Sequence, residues 1–217
     1  ARMVAQKFNT NHHEFIVHPK ALDILPKLVR HYGEPYADSS AIPTFYVSSE
    51  TSKHVKVALN GDGGDENFAG YERYFAHKMA HIYQKIPTMI RKIIEKCIFL
   101  LPGTADTRSN VSNIKRFCEF ANMSIEKRYI AWMRFVNIDL KSGFYSPEFI
   151  AKINILESEN LIEQLFCQTR GLDIIDSAMT VDVNFCLPYD LMVKADITSM
   201  MISLEDRSPF LDHHLME

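Results

Sequence analysis

Leu22, Leu25, Leu28 and Val29 recur at three- and four-residue intervals within residues 21–31. This spacing puts them on one face of a predicted helix, and Gly33 supplies its stop. Residues 1–8 read as the tail of another helix. Phe15, Ile16 and Val17 follow a polar turn and form a short strand candidate. Residues 38–49 have a helical pattern, but Pro43 inside it predicts a kink or a late start. Val55, Val57 and Leu59 alternate with Lys56 and Ala58 and then run into a glycine-rich loop. That predicts a buried parallel strand over 55–59, with the loop at its carboxyl end and a helix beginning near Asn67.

The pattern changes after Tyr74. Helical periodicity dominates residues 77–100, 112–121, 125–137, 158–170, 172–184 and 187–204, with no further convincing strand. Pro102, Gly103, Gly143 and Pro188 punctuate these segments. The helical pattern at Leu215, Met216 and Glu217 carries no stop signal, and the first residues carry no start signal. The chain therefore reads as cut at both ends. A strand, a polar loop and a helix, followed by a helical region, is an α/β arrangement. The expectation is one domain, α/β over 1–75 and mainly helical over 76–217.

Composition narrows the class. The 217 residues are 47% hydrophobic and 24% charged, ordinary for a soluble globular chain, and the net charge is -3. No basic surface of the kind that grips a polyanion is implied, so nucleic acid is not an expected partner. The most apolar stretch, near Ile93 to Leu101, is broken by Glu95 and Lys96, and no membrane span is expected. Cys97, Cys118, Cys167 and Cys186 show neither CxxC nor zinc spacing and read as mostly buried, reduced thiols of a cytoplasmic protein.

Candidate chemistry concentrates in Asn60, Gly61, Asp62, Gly63, Gly64, Asp65 and Glu66. Glycines let backbone amides approach a ligand closely. Ligands gather at the carboxyl ends of strands in open α/β sheets. Carboxylates repel phosphate but can hold Mg²⁺ that bridges to it. A nucleotide–Mg²⁺ loop thus stands beside the plainer reading of an acidic turn; a calcium loop lacks EF-hand spacing. His12, His13 and Glu14 sit on extended chain, where neighbours point to opposite faces, so a structural role is expected over a shared metal. Asp212, His213 and His214 lack companion aspartates and read as packing, as do Cys186 and Trp132.

Several stretches together resemble the asparagine synthetase family. They are Gly33-Glu34-Pro35, Asp38-Ser39-Ser40-Ala41, the loop with Gly70-Tyr71, Leu187-Pro188, Lys194-Ala195-Asp196 and Ser203 to His213, with Thr10 to Glu14 also fitting. They occur in the family's order across nearly the whole chain. The resemblance implies a partial parallel sheet of the adenine-nucleotide alpha-hydrolase-like (ATP pyrophosphatase) type, followed by a mostly helical region. It implies a ligase that uses ATP and Mg²⁺ to adenylate a carboxylate, aspartate or a related one. Ammonia would then attack, supplied by an N-terminal glutaminase domain absent from this chain. Carried over residue by residue, Asn60, Gly61, Gly63 and Gly64 would lie at the nucleotide. Asp62 and Lys194 would be catalytic, Asp65 would hold the metal, and Asp38 and Glu66 would face the substrate. Asp38, Asp62, Asp65 and Lys194 would then share one cleft. A homo-oligomer is compatible with such a protein.

The departures are specific. The family usually has Ser at the position of Asn60, and its best-known members have Glu at that of Asp62. Asp is found in relatives that amidate or cyclise other carboxylates, which leaves the substrate open between aspartate and another acid. The Ser-Gly-Gly-x-Asp-Ser phosphate loop is not in the chain. The 217 residues alone are therefore expected not to make asparagine, and a non-catalytic binding module is the third reading.

Overall fold

The computed structural model describes residues 2–17, 21–102, 110–134, 136 and 138–217. In chain order the elements are α1 (Arg2–Phe8), α2 (Ala21–Tyr32), α3 (Ala41–Thr51), β1 (Val57–Leu59), α4 (Gly64–Phe68), α5 (Glu72–Gln84), α6 (Thr88–Leu100) and α7 (Asn110–Ala121). There follow α8 (Ile125–Met133), α9 (Ile138–Phe144), α10 (Pro147–Ile150), α11 (Glu157–Gln168) and α12 (Ile174–Val181). A π-helix (Asp182–Leu191) leads into α13 (Met192–Met200), β2 (Glu205–Arg207), a 3-10 turn (Pro209–Leu211) and α14 (His213–Met216). The chain divides into two compact units. The first comprises Ala1–Asp62 with Pro188–Glu217, the second Gly63–Leu187.

In the first unit α13 packs on α2, α3 and β2. The two packed helices bury small residues, Ala41 and Ser48 on α3 and Ala195, Thr198 and Ser199 on α13. Their three-, four- and seven-residue spacings keep them on one face of each helix. Pro43 explains the late start of α3. It is the third helical residue, where no intrahelical N–H bond is required, and starting at residue 38 would set its ring against the carbonyl of Ser39. α2 ends as expected at Gly33, whose φ of 71° is left-handed.

β1 and β2 form a two-stranded parallel sheet with Val57 opposite Glu205, Ala58 opposite Asp206 and Leu59 opposite Arg207. The parallel strand is present over Val57–Leu59, shorter than the expected 55–59, and the expectation of burial is corrected: Val57 is 42% and Leu59 73% exposed. Two strands of three residues leave one face open among the described residues. A strand over 205–207 was not expected, because Glu-Asp-Arg carries no apolar alternation. Phe15, Ile16 and Val17 are not a strand; Ile16 is 87% exposed, with no ladder partner among the described residues.

The second unit is helical. α5 packs on α7 and α12, α8 on α11, and α11 on α12. Its apolar centre gathers Tyr129, Ile130, Ile162, Phe166 and Val181. The helix expected near Asn67 starts earlier, at Gly64, because Gly63 at φ 84° turns the chain into it. Asp65 and Glu66 then fall in its first turn, where the helix dipole favours carboxylates. It ends at once on Ala69, also left-handed. The expected helix over 77–100 is two helices, parted at Pro87. Gly103, one expected breaker, and residues 135 and 137, within the expected helix 125–137, lie outside the described residues. Cys118 and Cys186 are buried as expected, but Cys97 and Cys167 are exposed.

Candidate active site

Asn60 stands one residue beyond β1 and extends its ladder, its backbone N–H donating to the Arg207 carbonyl at 2.9 Å. Parallel register puts Asn60 beside Ser208, with Asp206 two residues earlier on the same face. The Asn60 amide donates to Asp62 Oδ2 at 2.6 Å and to Asp206 Oδ2 at 2.7 Å. Its carbonyl accepts the Asp62 backbone N–H at 3.2 Å and the Ser208 hydroxyl. Both donors and both lone pairs of the carboxamide are used. A serine here would have a single donor for the two carboxylates. Burial pushes the Asp206 carboxyl above the usual range, opposed by hydrogen bonds from Asn60 and the Arg207 backbone.

A second group in the same unit joins three expected or neighbouring residues. Lys194, on α13, donates to Asp38 Oδ2 at 2.9 Å and to Ser40 Oγ at 2.8 Å. Ser40 Oγ donates to Asp38 Oδ2 at 2.6 Å, and its backbone N–H to Asp38 Oδ1 at 2.8 Å. Burial pushes the Asp38 carboxyl upward, but the bonds from Ser40 and Lys194 outweigh it and hold the group below the usual range. Asp38 also lines a groove of about 820 Å³ with Leu28, Tyr32, Pro35, Tyr36 and Ile42. Tyr32 and Tyr36 stack at 4.4 Å, and Tyr36 donates to Asp190 Oδ1 at 2.7 Å. The Tyr32 hydroxyl is buried with no hydrogen-bond partner among the described residues, and burial raises its pKa to about 12.

Of the remaining loop residues, Gly61 belongs to the first unit and Gly63, Gly64, Asp65 and Glu66 to the second. Asp65 is exposed, and its carboxylate lies against Gly70: a Cβ there would come within 2.0 Å of Asp65 Oδ1. Glu66 is 1% exposed and accepts the Tyr71 hydroxyl at 2.5 Å. Gly61 is exposed, with nothing within 4 Å of where a side chain would begin.

The second unit also holds a polar cluster that the sequence did not reveal. Asp182, fully buried, accepts the Tyr129 hydroxyl on Oδ1 at 2.5 Å, and on Oδ2 the Tyr74 hydroxyl at 2.5 Å and the Arg73 guanidinium at 2.8 Å. Its members are spread over more than one hundred positions, so no spacing signals it. Burial lifts the phenols of Tyr74 and Tyr129 far above their usual range, and the Asp182 carboxylate adds to this. Asp206, Ser208 and Ser40 had a fainter signal. They lie in the stretches that carry the family resemblance, but their period-two and turn relations to Asn60 and Asp38 needed the strand pairing to be known.

His12 and Glu14 are hydrogen-bonded at 3.0 Å, and Arg2 also donates to Glu14, a structural use of that motif. Asp212 caps α14 by accepting the His214 N–H at 2.8 Å. Among the described residues there is no group of three or more side chains placed to hold a metal ion, and no helix long and apolar enough to cross a membrane.

The family model described as asparagine synthase matches residues 1–217, the whole of the chain. The chain belongs to the asparagine synthase family. Among its relatives is asparagine synthetase (glutamine-hydrolyzing) 1 of Bacillus subtilis (strain 168), 30% identical over 191 residues, which are 87% of this chain and 28% of that protein. A protein of Mycobacterium tuberculosis (strain ATCC 25618 / H37Rv) named "Putative asparagine synthetase (glutamine-hydrolyzing)" is 29% identical over 87% of this chain and 27% of its own length. "Putative asparagine synthetase (glutamine-hydrolyzing) 2" of Methanocaldococcus jannaschii is 28% identical over 92% of this chain and 36% of its own. The chain thus spans about a third or less of the length of these relatives. No solved structure gives a significant match.

Proposed function

We propose that this asparagine synthase chain is part of an ATP-dependent amide-forming ligase domain of a cytoplasmic protein. The observation that carries the reading is Asp62, fixed at the carboxyl end of a parallel strand by the side chain of Asn60. Ligands collect at such strand ends. In the proposed reaction a substrate carboxylate oxygen attacks the α-phosphorus of ATP and pyrophosphate leaves. Ammonia then attacks the acyl carbon of the resulting acyl-adenylate and AMP leaves. Asp62 takes the proton that the attacking nitrogen must lose.

Lys194 supplies positive charge, held in place by Asp38 and Ser40, for the phosphate oxygens where negative charge grows. Asn60, Gly61, Gly63 and Gly64 contribute the loop that approaches the nucleotide. Asp65 is exposed and seated against Gly70, and its hard oxygens suit Mg²⁺, which takes one or two carboxylates besides phosphate. When bound, that ion would offset the charge of the leaving pyrophosphate. Asp38 forms a wall of the groove and so is suited to the substrate side. Glu66 is buried on Tyr71, which suits support of the loop better than contact with substrate. Aspartate is the first substrate and glutamine-derived ammonia the nitrogen source, in line with the relatives' names. The carboxylate at residue 62 is one methylene shorter than Glu, which favours a second reading in which another acid is amidated or cyclised.

The test is made on the full-length gene product that carries this chain. Pyrophosphate release from ATP is measured with aspartate and with a panel of other carboxylates, with ammonia supplied directly. Pyrophosphate and asparagine in equal amounts support the first reading. Release only with another acid supports the second. No carboxylate-dependent release from folded protein refutes both.

A further inference from the structure

We propose that Asp206 is a positioning residue for Asp62, acting through the side-chain amide of Asn60; this rests on the reading of Asp62 as the proton acceptor. The two carboxylates share one donor group. Each takes one hydrogen of the same –NH₂ group, Asp62 at 2.6 Å and Asp206 at 2.7 Å. Both distances are at the short end for N–H donors, as charge-assisted bonds are. The carbonyl end of the same amide is fixed by the Ser208 hydroxyl and the Asp62 backbone.

The geometry follows from the strand register. Ala58 lies opposite Asp206, so Asn60, two residues on, projects from the same face and sits beside Ser208. Asp206 and Ser208 therefore reach the amide from successive same-side positions of β2 and its continuation. An Asn side chain has a soft terminal torsion, and with one carboxylate alone its amide plane could turn. Asp206 and Ser208 hold opposite ends of that plane and stop the rotation. The direction in which the amide holds Asp62 is thereby fixed.

A proton acceptor has to lie within hydrogen-bond reach of the proton it takes, and a misplacement of about 1 Å can cost about 100-fold in rate. Asp206 touches no reacting atom in this scheme. Its effect passes through Asn60 to Asp62, and so falls on turnover and not on nucleotide affinity.

The test uses the full-length protein and two variants. Asp206→Asn keeps a side-chain oxygen to accept from Asn60; Asp206→Ala removes it. The expected result is a fall in kcat for amide formation of about 10- to 100-fold in Asp206→Ala, with KM for ATP unchanged. Asp206→Asn should recover most of that loss. A merely structural role would lower the folded fraction in both variants and leave kcat per folded molecule unchanged, and that result overturns the proposal. Equal loss of kcat in both variants also overturns it.

A second measurement does not depend on activity or on the Ala variant folding. In ¹⁵N-labelled protein the Asn60 side-chain amide should exchange its hydrogens much more slowly than an exposed asparagine, and should do so still in Asp206→Asn. Exchange at the rate of an exposed side chain overturns the clasp itself. If the unaltered protein forms no amide, the reading of Asp62 fails and the positioning role fails with it. The exchange rate then decides separately whether the clasp exists.

Discussion

Asp62 and Asp182 are both carboxylates held by a group of donors, yet their surroundings give them opposite capacities. Asp182 is fully buried and surrounded by Arg73, Tyr74 and Tyr129, whose donors take up both its oxygens. Such a charge is locked: its partners would be stranded in the core without it, and no ligand can reach it. Asp62 is only partly buried, lies at a strand end, and accepts a hydrogen bond from the neutral amide of Asn60. That partner fixes direction, and partial exposure leaves the carboxylate reachable. The difference teaches that the number of hydrogen bonds around an acid does not mark it as functional. Access does.

This comparison can be broken most sharply by a matched pair of substitutions. Asp62→Asn in the full-length protein should lower amide formation by about 100- to 10,000-fold, the usual range for loss of a general base. Its denaturant midpoint should stay close to that of the unaltered protein. Asp182→Ala should do the reverse. It leaves a partly buried guanidinium and two buried phenols without their acceptor, a loss of roughly 3 kcal/mol by analogy with broken buried pairs, read as a lower denaturant midpoint. If Asp62→Asn unfolds the protein, or Asp182→Ala leaves stability unchanged, the contrast fails.

A smaller effect tests the seat of Asp65. Gly70→Ala sets a methyl within 2.0 Å of Asp65 Oδ1. Forced repacking of this kind costs about 1–3 kcal/mol. The side chain of Asp65 should swing away, raising the Mg²⁺ concentration needed for half-maximal pyrophosphate release more than it lowers stability.

Two pH measurements sharpen the comparison further. His77 is fully buried, accepts from Arg128 Nε at 3.0 Å, and is held neutral by burial and by Arg128, with its pKa lowered to about 3. The unfolded chain takes up the proton first, near the ordinary histidine value of about 6.5. Stability therefore falls as pH drops from there toward 3, with a slope of about 1.4 kcal/mol per pH unit from this residue. Unfolding of His77→Gln at several pH values should lack that slope. The smallest effect belongs to Asp38, whose depressed pKa contributes stability at pH above the ordinary aspartate value of about 3.9. The contribution is lost as pH falls below that value through the folded one. The stability gap between the unaltered protein and Asp38→Asn should shrink over that acid window and stay constant above it.

Much of the helical layout was legible because it is local. The 3.6-residue spacing of Leu25 and Leu28, the stop at Gly33 and the late start at Pro43 depend only on neighbours in the chain. The glycine and carboxylate loop announced itself in the same way, and the parallel direction of β1 was read correctly. The exposure of β1 was not legible, since an alternating pattern says which residues share a face but not what covers it. β2 was missed because Glu205, Asp206 and Arg207 have no apolar rhythm, and only the pairing with β1 makes them a strand. The helix after the loop was placed three residues late, because the left-handed turn at Gly63 cannot be told from that of any other loop glycine.

The sequence by itself determined the family, the loop with Asn60, Asp62 and Asp65, and the helical character of most of the chain. These rest on residue identity and short-range spacing. The tertiary structure alone decided that Lys194 pairs with Asp38 across 156 positions and that Asp206 shares the amide of Asn60 with Asp62. It alone decided that Asp182 is surrounded by Arg73, Tyr74 and Tyr129. Charged and polar side chains find such partners through the packing of distant elements, and a one-dimensional pattern holds no record of which distant residue will stand within 3 Å.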